Sequence, residues 1–196
     1  MKLISLTQSN LQSVVEATAE AIRAGKVVIA PTDTVYGIIA DATNEQAVAR
    51  IYSIKKRDTG KPLPIFVKNI AMAKKVARVS PAQEKLMEEY WPGKVTLVLC
   101  KKEVAKIYGA GDKTIALRIP FYHFINSLLE TSNVPLCGTS ANVSGMGASC
   151  KIDDVLNQFT GAKLLPDLVI NAGDLEPSKP SKIIDLTEKE YKVIRG

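Results

Sequence analysis

A hydroxyl-rich loop and the basic turn that follows it are the parts of this sequence best suited to chemistry. The loop, residues 31–37 (PTDTVYG), comes directly after a strand-like apolar run and contains two threonines, an aspartate and a tyrosine. Further on, after one short helix, the chain carries three consecutive cations, Lys55, Lys56 and Arg57. Hydroxyls and backbone amides bind small polar substrates, and an arginine can grip phosphate oxygens with two parallel hydrogen bonds. The combination indicates a site for a polar, phosphorylated ligand.

Each of these features also has a plain structural explanation. Threonine and aspartate cap backbone groups in turns, and cations favour the last turn of a helix, where carbonyl groups are unpaired. A third polar loop, residues 139–145 (TSANVSG), is either a simple hairpin or a cradle of hydroxyls and amides for an anion. Because all three loops follow apolar strands or helices, we expect them to meet in one site.

Arg118 is a separate candidate because it interrupts an apolar strand, TIALRIP. An arginine in such a strand is costly unless it pairs with an acid or faces a polar pocket. An anionic substrate is one candidate partner for it.

Hydrophobic periodicity, capping residues and turn residues predict the elements that position these loops. Helices are predicted over residues 9–24, 44–54, 70–77, 81–90, 123–130 and 152–159. Strands are predicted over residues 26–30, 38–40, 63–67, 95–100, 114–119, 135–139, 168–171, 182–186 and 191–194. Strands and helices mix throughout, without a linker or a repeat, which predicts one α/β domain over residues 1–196 with a mixed sheet.

Composition limits the class of protein. With 196 residues, 46% hydrophobic and 23% charged, the chain is long enough for one buried core, and disorder is not expected. Three cysteines without a CxxC pair and a single histidine argue against a structural zinc site, so we assign no metal ligands. No apolar run reaches the roughly 18 residues of a membrane span, and the N-terminus does not resemble a signal peptide. Free thiols without an export signal predict a cytoplasmic location.

The net charge of +6 suits a polyanionic ligand such as a nucleotide or RNA, although lysines that solubilise helices produce the same charge. A non-catalytic RNA-binding module is therefore an alternative to an enzyme. Aromatic residues, which stack on RNA bases, make up only 6% of the chain, and this argues mildly against RNA binding as the sole function.

The loops described above, together with residues 91–99 (WPGKVTLVL) and 116–120 (ALRIP), occur in an order that resembles the YrdC family, the threonylcarbamoyl-AMP synthases. The tail resembles the family too, in the segment PSKIIDL (residues 180–186) and in the closing arginine-glycine. The family signature, K-x-R followed much later by S-x-N, is matched here by Lys55, Arg57, Ser140 and Asn142.

The resemblance implies a reaction in which L-threonine, bicarbonate and ATP give threonylcarbamoyl-adenylate and pyrophosphate, with Mg²⁺ carried by the triphosphate. Transferase proteins then pass the threonylcarbamoyl group to an adenosine in tRNA. The implied fold is a single domain in which a twisted mixed sheet with flanking helices lines a basic cavity. The implied catalytic residues are Lys55 and Arg57. The implied threonine site consists of Thr32, Thr34, Tyr36, Arg118 and Ser181. The implied ATP site consists of Lys55, Arg57, Lys61, Thr96, Ser140, Asn142 and Arg195.

Two positions depart from the family pattern, and both lie near the implied threonine site. Phe66 stands where many relatives have a histidine, and Lys182 stands where the family has a threonine. These departures leave a second alternative, a paralogue that makes a related carbamoyl-adenylate from another amine.

Overall fold

One sheet runs through the part of the chain that the computed structural model describes, residues 1–188 and 190–196. Its strands are β1 (Lys2–Ser5), β2 (Val28–Ala30), β3 (Gly37–Asp41), β4 (Ile65–Phe66), β5 (Val95–Cys100), β6 (Thr114–Arg118), β7 (Leu136–Ser140), β8 (Leu168–Asn171), β9 (Lys182–Asp185) and β10 (Lys192–Arg195). A short 3-10 helix (Gln8–Asn10) precedes the first of the α-helices, which are α1 (Leu11–Arg23), α2 (Glu45–Lys55), α3 (Ile70–Val76), α4 (Pro81–Tyr90), α5 (His123–Ser132) and α6 (Ile152–Phe159).

The strands are ordered β1-β8-β2-β3-β7-β4-β6-β5-β9-β10 across the sheet. Four neighbouring pairs are parallel, namely β1–β8, β2–β8, β4–β6 and β5–β9, and the other pairs within the described residues are antiparallel. The predicted α/β fold with a mixed sheet is confirmed. No helix of the described residues combines the length and the apolar character needed to cross a membrane.

Helices cover both faces of the sheet, which explains why strand β2 is apolar at every position. Successive side chains of a strand point to opposite faces. Val28 and Ala30 pack in one cluster with residues of α1 and α5, whereas Ile29 packs in a second cluster with residues of α2, such as Val48 and Ile51. A strand buried on both sides loses the alternation of polar and apolar residues that half-exposed strands show.

Most predicted elements occur, and α4, α6, β5 and β8 have the predicted bounds. Strand β1, at the edge of the sheet, was not predicted. The predicted strand over residues 63–67 is wrong at its ends: Leu63 donates its N–H to Gly109 O, and only Ile65 and Phe66 join the sheet. The predicted start of the first helix is also wrong, because Thr7 N donates to Asn10 Oδ1 (2.8 Å) and holds a 3-10 turn ahead of α1.

Gly138 in β7 leaves the space that the Phe66 ring occupies. A Cβ atom at residue 138 would lie 2.7 Å from Phe66 Cε2 and 3.3 Å from Ile39 Cγ2. We therefore predict that Gly138→Ala lowers the free energy of unfolding by about 1–3 kcal/mol, because a close-packed core does not accept an extra methyl group. Urea denaturation measures this effect.

Two further variants test the cause of that loss. Gly147→Ala is the matched control, since a Cβ there meets no atom within 4 Å, and its stability should change little. Adding Phe66→Leu to the Gly138→Ala variant should recover part of the lost stability. A Gly138→Ala variant as stable as the wild type would contradict the packing argument.

Candidate active site

A cavity of about 530 Å³ lies where the three polar loops meet, as expected from the sequence. Within the described chain, seven strands that are neighbours in the sheet, from β3 to β10, each contribute lining residues. In a flat sheet the outer two of these strands would be roughly 29 Å apart, at about 4.8 Å per strand spacing. The sheet must therefore curl around the cavity, and the volume lies within the range typical of small-molecule sites.

Three arginines line the cavity among the described residues, and each is held by hydrogen bonds from Nε and Nη2. Arg57 donates to Lys61 O (3.2 Å) and Pro62 O (3.1 Å). Arg195 donates from both nitrogens to Ser181 O, at 3.0 and 2.7 Å.

Arg118 donates from Nε to Gly93 O (2.9 Å) and from Nη2 to Asp33 Oδ2 (2.7 Å). In each of the three guanidinium groups, two nitrogens are engaged by protein oxygens, so the orientation of the group is set before any ligand binds. Such pre-orientation lowers the entropy that binding an anion would cost.

Hydroxyl groups occupy the remaining polar positions of the lining. Thr32 Oγ1 donates to Val35 O (2.6 Å) and lies 3.1 Å from Thr34 Oγ1. Elsewhere in the lining, Thr96 Oγ1 of β5 lies 3.3 Å from Ser181 Oγ. Ser140 also lines the cavity. These groups can donate to or accept from a polar ligand, which suits a substrate that carries several different functional groups.

The rest of the lining is apolar. Phe66, Val98, Ala116 and Ile183 come from β4, β5, β6 and β9, and Ile194 comes from the exposed strand β10. The alternation of side chains along each strand places them on the cavity face. Phe66 was noted in the sequence as a departure near the implied threonine site, but no pattern in the sequence marked the other four. Apolar walls around a few fixed polar groups are typical of ligand pockets.

Lys55 lies beneath this lining and not in it. The residue is 2% exposed, and its Nζ donates to Ser140 O, to Asn142 O (2.6 Å) and to Asn142 Oδ1 (3.3 Å). In return, Ser144 N donates to Lys55 O (2.8 Å). Burial, and to a smaller extent the nearby Arg57, lowers the pKa of the Lys55 ammonium to about 8. Lys55 thus ties the basic turn to the loop over residues 140–144.

Three other residues expected in the site have their polar groups or side chains elsewhere. Tyr36 is fully buried, its hydroxyl donates to Gly173 O (2.6 Å) and accepts from Ala172 N (3.0 Å), and burial raises its pKa to about 12. Asn142 donates from Nδ2 to Met146 O (2.6 Å) and Val143 O (3.0 Å). Lys61 is exposed outside the cavity, and only its carbonyl takes part, as an acceptor for Arg57. The other eight expected residues line the cavity: Thr32, Thr34, Arg57, Thr96, Arg118, Ser140, Ser181 and Arg195.

Asp33 is a site residue that sequence reasoning missed. The Asp33 and Arg118 side chains are 4% and 5% exposed, and their ion pair satisfies the arginine that the sequence left without a partner. Asp33 Oδ2 also accepts from Phe121 N (2.9 Å). Burial lowers the pKa of the Arg118 guanidinium, and the Asp33 carboxylate acts in the opposite direction. The signal in the sequence was the arginine itself, because a buried cation requires compensating oxygen partners, and a nearby carboxylate is one such partner.

Nothing in the described part of the chain resembles a metal centre, since no group of three or more His, Cys, Asp or Glu side chains is placed to hold an ion. The cavity lining, again among described residues, includes no aspartate or glutamate. A lining of arginines, hydroxyls and apolar side chains fits a ligand that is itself anionic.

A curled mixed sheet around pre-oriented arginines and hydroxyls defines an α/β protein whose cavity is suited to an anionic ligand. The chain belongs to the Sua5/YciO/YrdC family, because the family model of that name, described as "Telomere recombination", matches residues 20–196. The resemblance inferred from the motifs is therefore confirmed.

Several relatives share a name that states an activity. A threonylcarbamoyl-AMP synthase of Pyrococcus abyssi is 36% identical over 176 residues, which are 89% of this chain and 51% of the relative. A Methanocaldococcus jannaschii protein that carries the same name provisionally is 36% identical over all of this chain and 91% of its own length. The crystal structure of P. abyssi Sua5 complexed with L-threonine superposes with a TM-score of 0.90 at 34% identity, covering 100% of this chain and 57% of that one. This chain thus spans about half of the P. abyssi protein.

The contacts of Lys55 generate a prediction about stability. Lys55→Met should lower the free energy of unfolding by about 1–3 kcal/mol, because it removes three hydrogen bonds of a buried ammonium group and leaves Asn142 O without a donor. Lys56→Met, at the exposed neighbouring position, is the matched control and should have little effect. Urea denaturation of both variants measures the difference. Equal stabilities for the two variants would show that the Lys55 contacts carry no net free energy.

The lowered pKa of Lys55 generates a second prediction, on the dependence of stability on pH. Its pKa is about 8 in the folded chain against an ordinary 10.5, so the unfolded chain binds more protons between these values. The contribution of Lys55 to the free energy of unfolding should therefore rise between about pH 8 and about pH 10.5. The measurement is the stability difference between the wild type and Lys55→Met across this window. A difference that shrinks would show that the three oxygens outweigh the effect of burial.

Proposed function

We propose that this chain is a threonylcarbamoyl-AMP synthase, which forms threonylcarbamoyl-adenylate and pyrophosphate from L-threonine, bicarbonate and ATP. The names of its relatives and the threonine complex of P. abyssi Sua5 support this activity. The main support for the proposal is that the arginines lining one cavity differ in their hydrogen-bond partners.

Two of these arginines have only neutral partners, and one has an acid. Arg57 and Arg195 donate to carbonyl oxygens, which leaves their charge uncompensated, whereas Arg118 is paired with Asp33. Two arginines whose positive charges are not compensated suit a triphosphate. One arginine whose charge is compensated by an acid suits a single carboxylate. We infer from this difference in charge compensation that Arg57 and Arg195 serve ATP and that Arg118 serves the amino acid, as the proposed reaction requires.

The proposed chemistry begins with the amine of threonine in its neutral form. The amine nitrogen forms a bond to the carbon of bicarbonate, water leaves, and the product is a carbamate. A carbamate oxygen then attacks the α-phosphorus of ATP, and the bond between the α-phosphorus and the bridging oxygen breaks to release pyrophosphate. The role of the protein is to hold the two reactants in line and to stabilise charge on the phosphates.

We assign Arg57 and Arg195 to the phosphates of ATP, with Ser140 and Thr96 nearby. Arg118, Ser181, Thr32 and Thr34 are assigned to threonine. We propose that Lys55, Asn142 and Tyr36 hold the lining residues in place without contacting the substrates, because their polar groups are engaged by other parts of the protein. Lys61 contributes through its carbonyl, which orients Arg57.

The same proposal covers the partners. Mg²⁺ would enter with the triphosphate, which usually supplies part of its coordination. We propose that the adenylate passes to tRNA through tRNA threonylcarbamoyl-transferase proteins, and that RNA contacts the basic surface of the chain. The three free thiols favour a reducing compartment, which we propose is the cytoplasm.

Pyrophosphate release is the direct test of this function. With ATP, Mg²⁺ and bicarbonate present, release should depend on L-threonine, should be much weaker with L-serine, and should be accompanied by an adenylate product. ATP binding without threonine-dependent turnover would point to a related carbamoyl-adenylate made from another amine. RNA binding with no nucleotide binding or turnover would refute the proposal in favour of the RNA-binding module.

The assignment of Arg57 predicts the effect of one substitution. Arg57→Ala should reduce kcat/KM for ATP by about 100-fold or more, since a charged group that contacts the transferred phosphates is lost. Its unfolding free energy should change little, because the side chain is only half-buried and its partners are accessible carbonyls. Lys56→Ala, one residue away and exposed, should retain activity. Full activity in Arg57→Ala would remove this residue from the site.

A further inference from the structure

Asp33 differs from every other residue around the cavity because it supplies a buried acid to one of the arginines. Its Oδ2 accepts from Arg118 Nη2 (2.7 Å) and from Phe121 N (2.9 Å). Its Oδ1 is buried without a hydrogen-bond partner among the described residues. Since a buried carboxylate is costly unless it is paired, Arg118 is the main compensation for this charge.

The pair connects three segments that are distant in the sequence. Asp33 lies in the loop between β2 and β3, Arg118 ends β6, and Arg118 Nε reaches Gly93 O in the turn before β5. Between them these contacts determine where the guanidinium group can lie. The remaining nitrogen of this group, Nη1, has no protein partner within the described residues, and Arg118 lines the cavity.

We propose that Asp33 is a positioning and specificity residue, which orients Arg118 and cancels its charge so that this end of the cavity accepts a single carboxylate and not a phosphate. This inference rests on the proposed function, since it assigns the amino-acid substrate to the Arg118 end. A free amino acid has no net charge, so a guanidinium already compensated by an acid still binds its carboxylate by directed hydrogen bonds. A polyanion, in contrast, is attracted mainly by uncompensated positive charge.

The consequence is a division of one cavity between a polyanionic substrate and a zwitterionic one that binds through its carboxylate. Arg57 and Arg195 keep their full charge and attract the triphosphate, whereas the Arg118–Asp33 pair presents hydrogen-bond donors with little net charge. Without Asp33, the Arg118 end would be a third phosphate site, and ATP or pyrophosphate would compete there with the amino acid. Specificity of this kind depends on disfavouring the wrong ligand as much as on binding the right one.

The chain contains a matched control for this residue. Asp167 Oδ2 also accepts from one arginine nitrogen, Arg50 Nη1 (2.7 Å), and from one backbone amide, Val27 N (2.8 Å). The Asp167 pair is outside the cavity and more exposed. Substituting either aspartate by asparagine or alanine changes the net charge by the same amount and affects the same kinds of contact, one to an arginine and one to a backbone amide. Only the variants at Asp33 should alter the site.

The experiment compares Asp33→Asn, Asp33→Ala, Asp167→Asn and Asp167→Ala in two measurements, each made well below the unfolding temperature of every variant. The first is steady-state pyrophosphate release. KM for L-threonine should rise about tenfold or more in Asp33→Ala and less in Asp33→Asn, which keeps an acceptor for Arg118. In both Asp33 variants ATP should become a competitor of threonine. The Asp167 variants should keep the wild-type KM and the wild-type kinetic pattern.

The second measurement is the binding of inorganic pyrophosphate by calorimetry, without threonine and without turnover. Asp33→Asn should bind pyrophosphate about tenfold more tightly than Asp167→Asn, because one compensating charge has been removed beside Arg118. Equal pyrophosphate affinities for these two variants, or threonine KM values that agree within about twofold, would overturn the inference. If the wild type releases no pyrophosphate with threonine, the proposed function fails by itself, and the calorimetric comparison still decides the role of Asp33.

Discussion

The buried ammonium group of Lys55 is the interaction on which the geometry of the cavity depends. It is surrounded by oxygens of Ser140 and Asn142, so the end of α2 and the loop after β7 cannot move independently. Lys56, the next residue, has a left-handed backbone (φ 51°), which ends the helix and turns the chain. Lys55 therefore points into the protein while Arg57, two residues later, lines the cavity. The carbonyl groups at this end of α2 are satisfied by Lys56 N and Ser144 N, so the helix can end next to the charged Arg57 without leaving them unpaired.

The cations that line the cavity near Lys55 are also held by hydrogen bonds to protein oxygens. The three arginines of the lining each use Nε and Nη2 for hydrogen bonds to protein oxygens. Only Arg118 has a carboxylate among these partners, so the arginines are alike in rigidity and different in effective charge. Rigid donors cost little reorganisation when a ligand arrives, and charge that varies along the cavity distinguishes one anion from another. The curled sheet brings these arginines together from β6, β10 and the end of α2.

The sequence predicted the elements better than it predicted how they assemble. Helix α4 could be located because Ser80 and Pro81 mark its start, and the run VTLVLC marked β5 for the same kind of local reason. Strand β1 was missed because its four edge residues, three exposed and one half-buried, carry neither alternation nor turn signals. The order of the strands was not predictable from local sequence patterns. Pairs such as β4–β7 join residues about 70 positions apart, and a local pattern contains no information on such contacts.

Local sequence patterns also could not show which candidate residues line the cavity. Residues that belong to one motif have different positions in the structure. In the K-x-R and S-x-N segments, Arg57 and Ser140 line the cavity, whereas Lys55 and Asn142 are buried outside its lining. The sequence cannot distinguish these cases, because a lysine that binds backbone carbonyls and a lysine that binds a phosphate satisfy the same need for oxygen partners. Loss of activity alone cannot distinguish them either. The free energy of unfolding can, since the buried contacts of Lys55 contribute to it before the substrates bind, whereas the exposed hydrogen bonds of Arg57 contribute little.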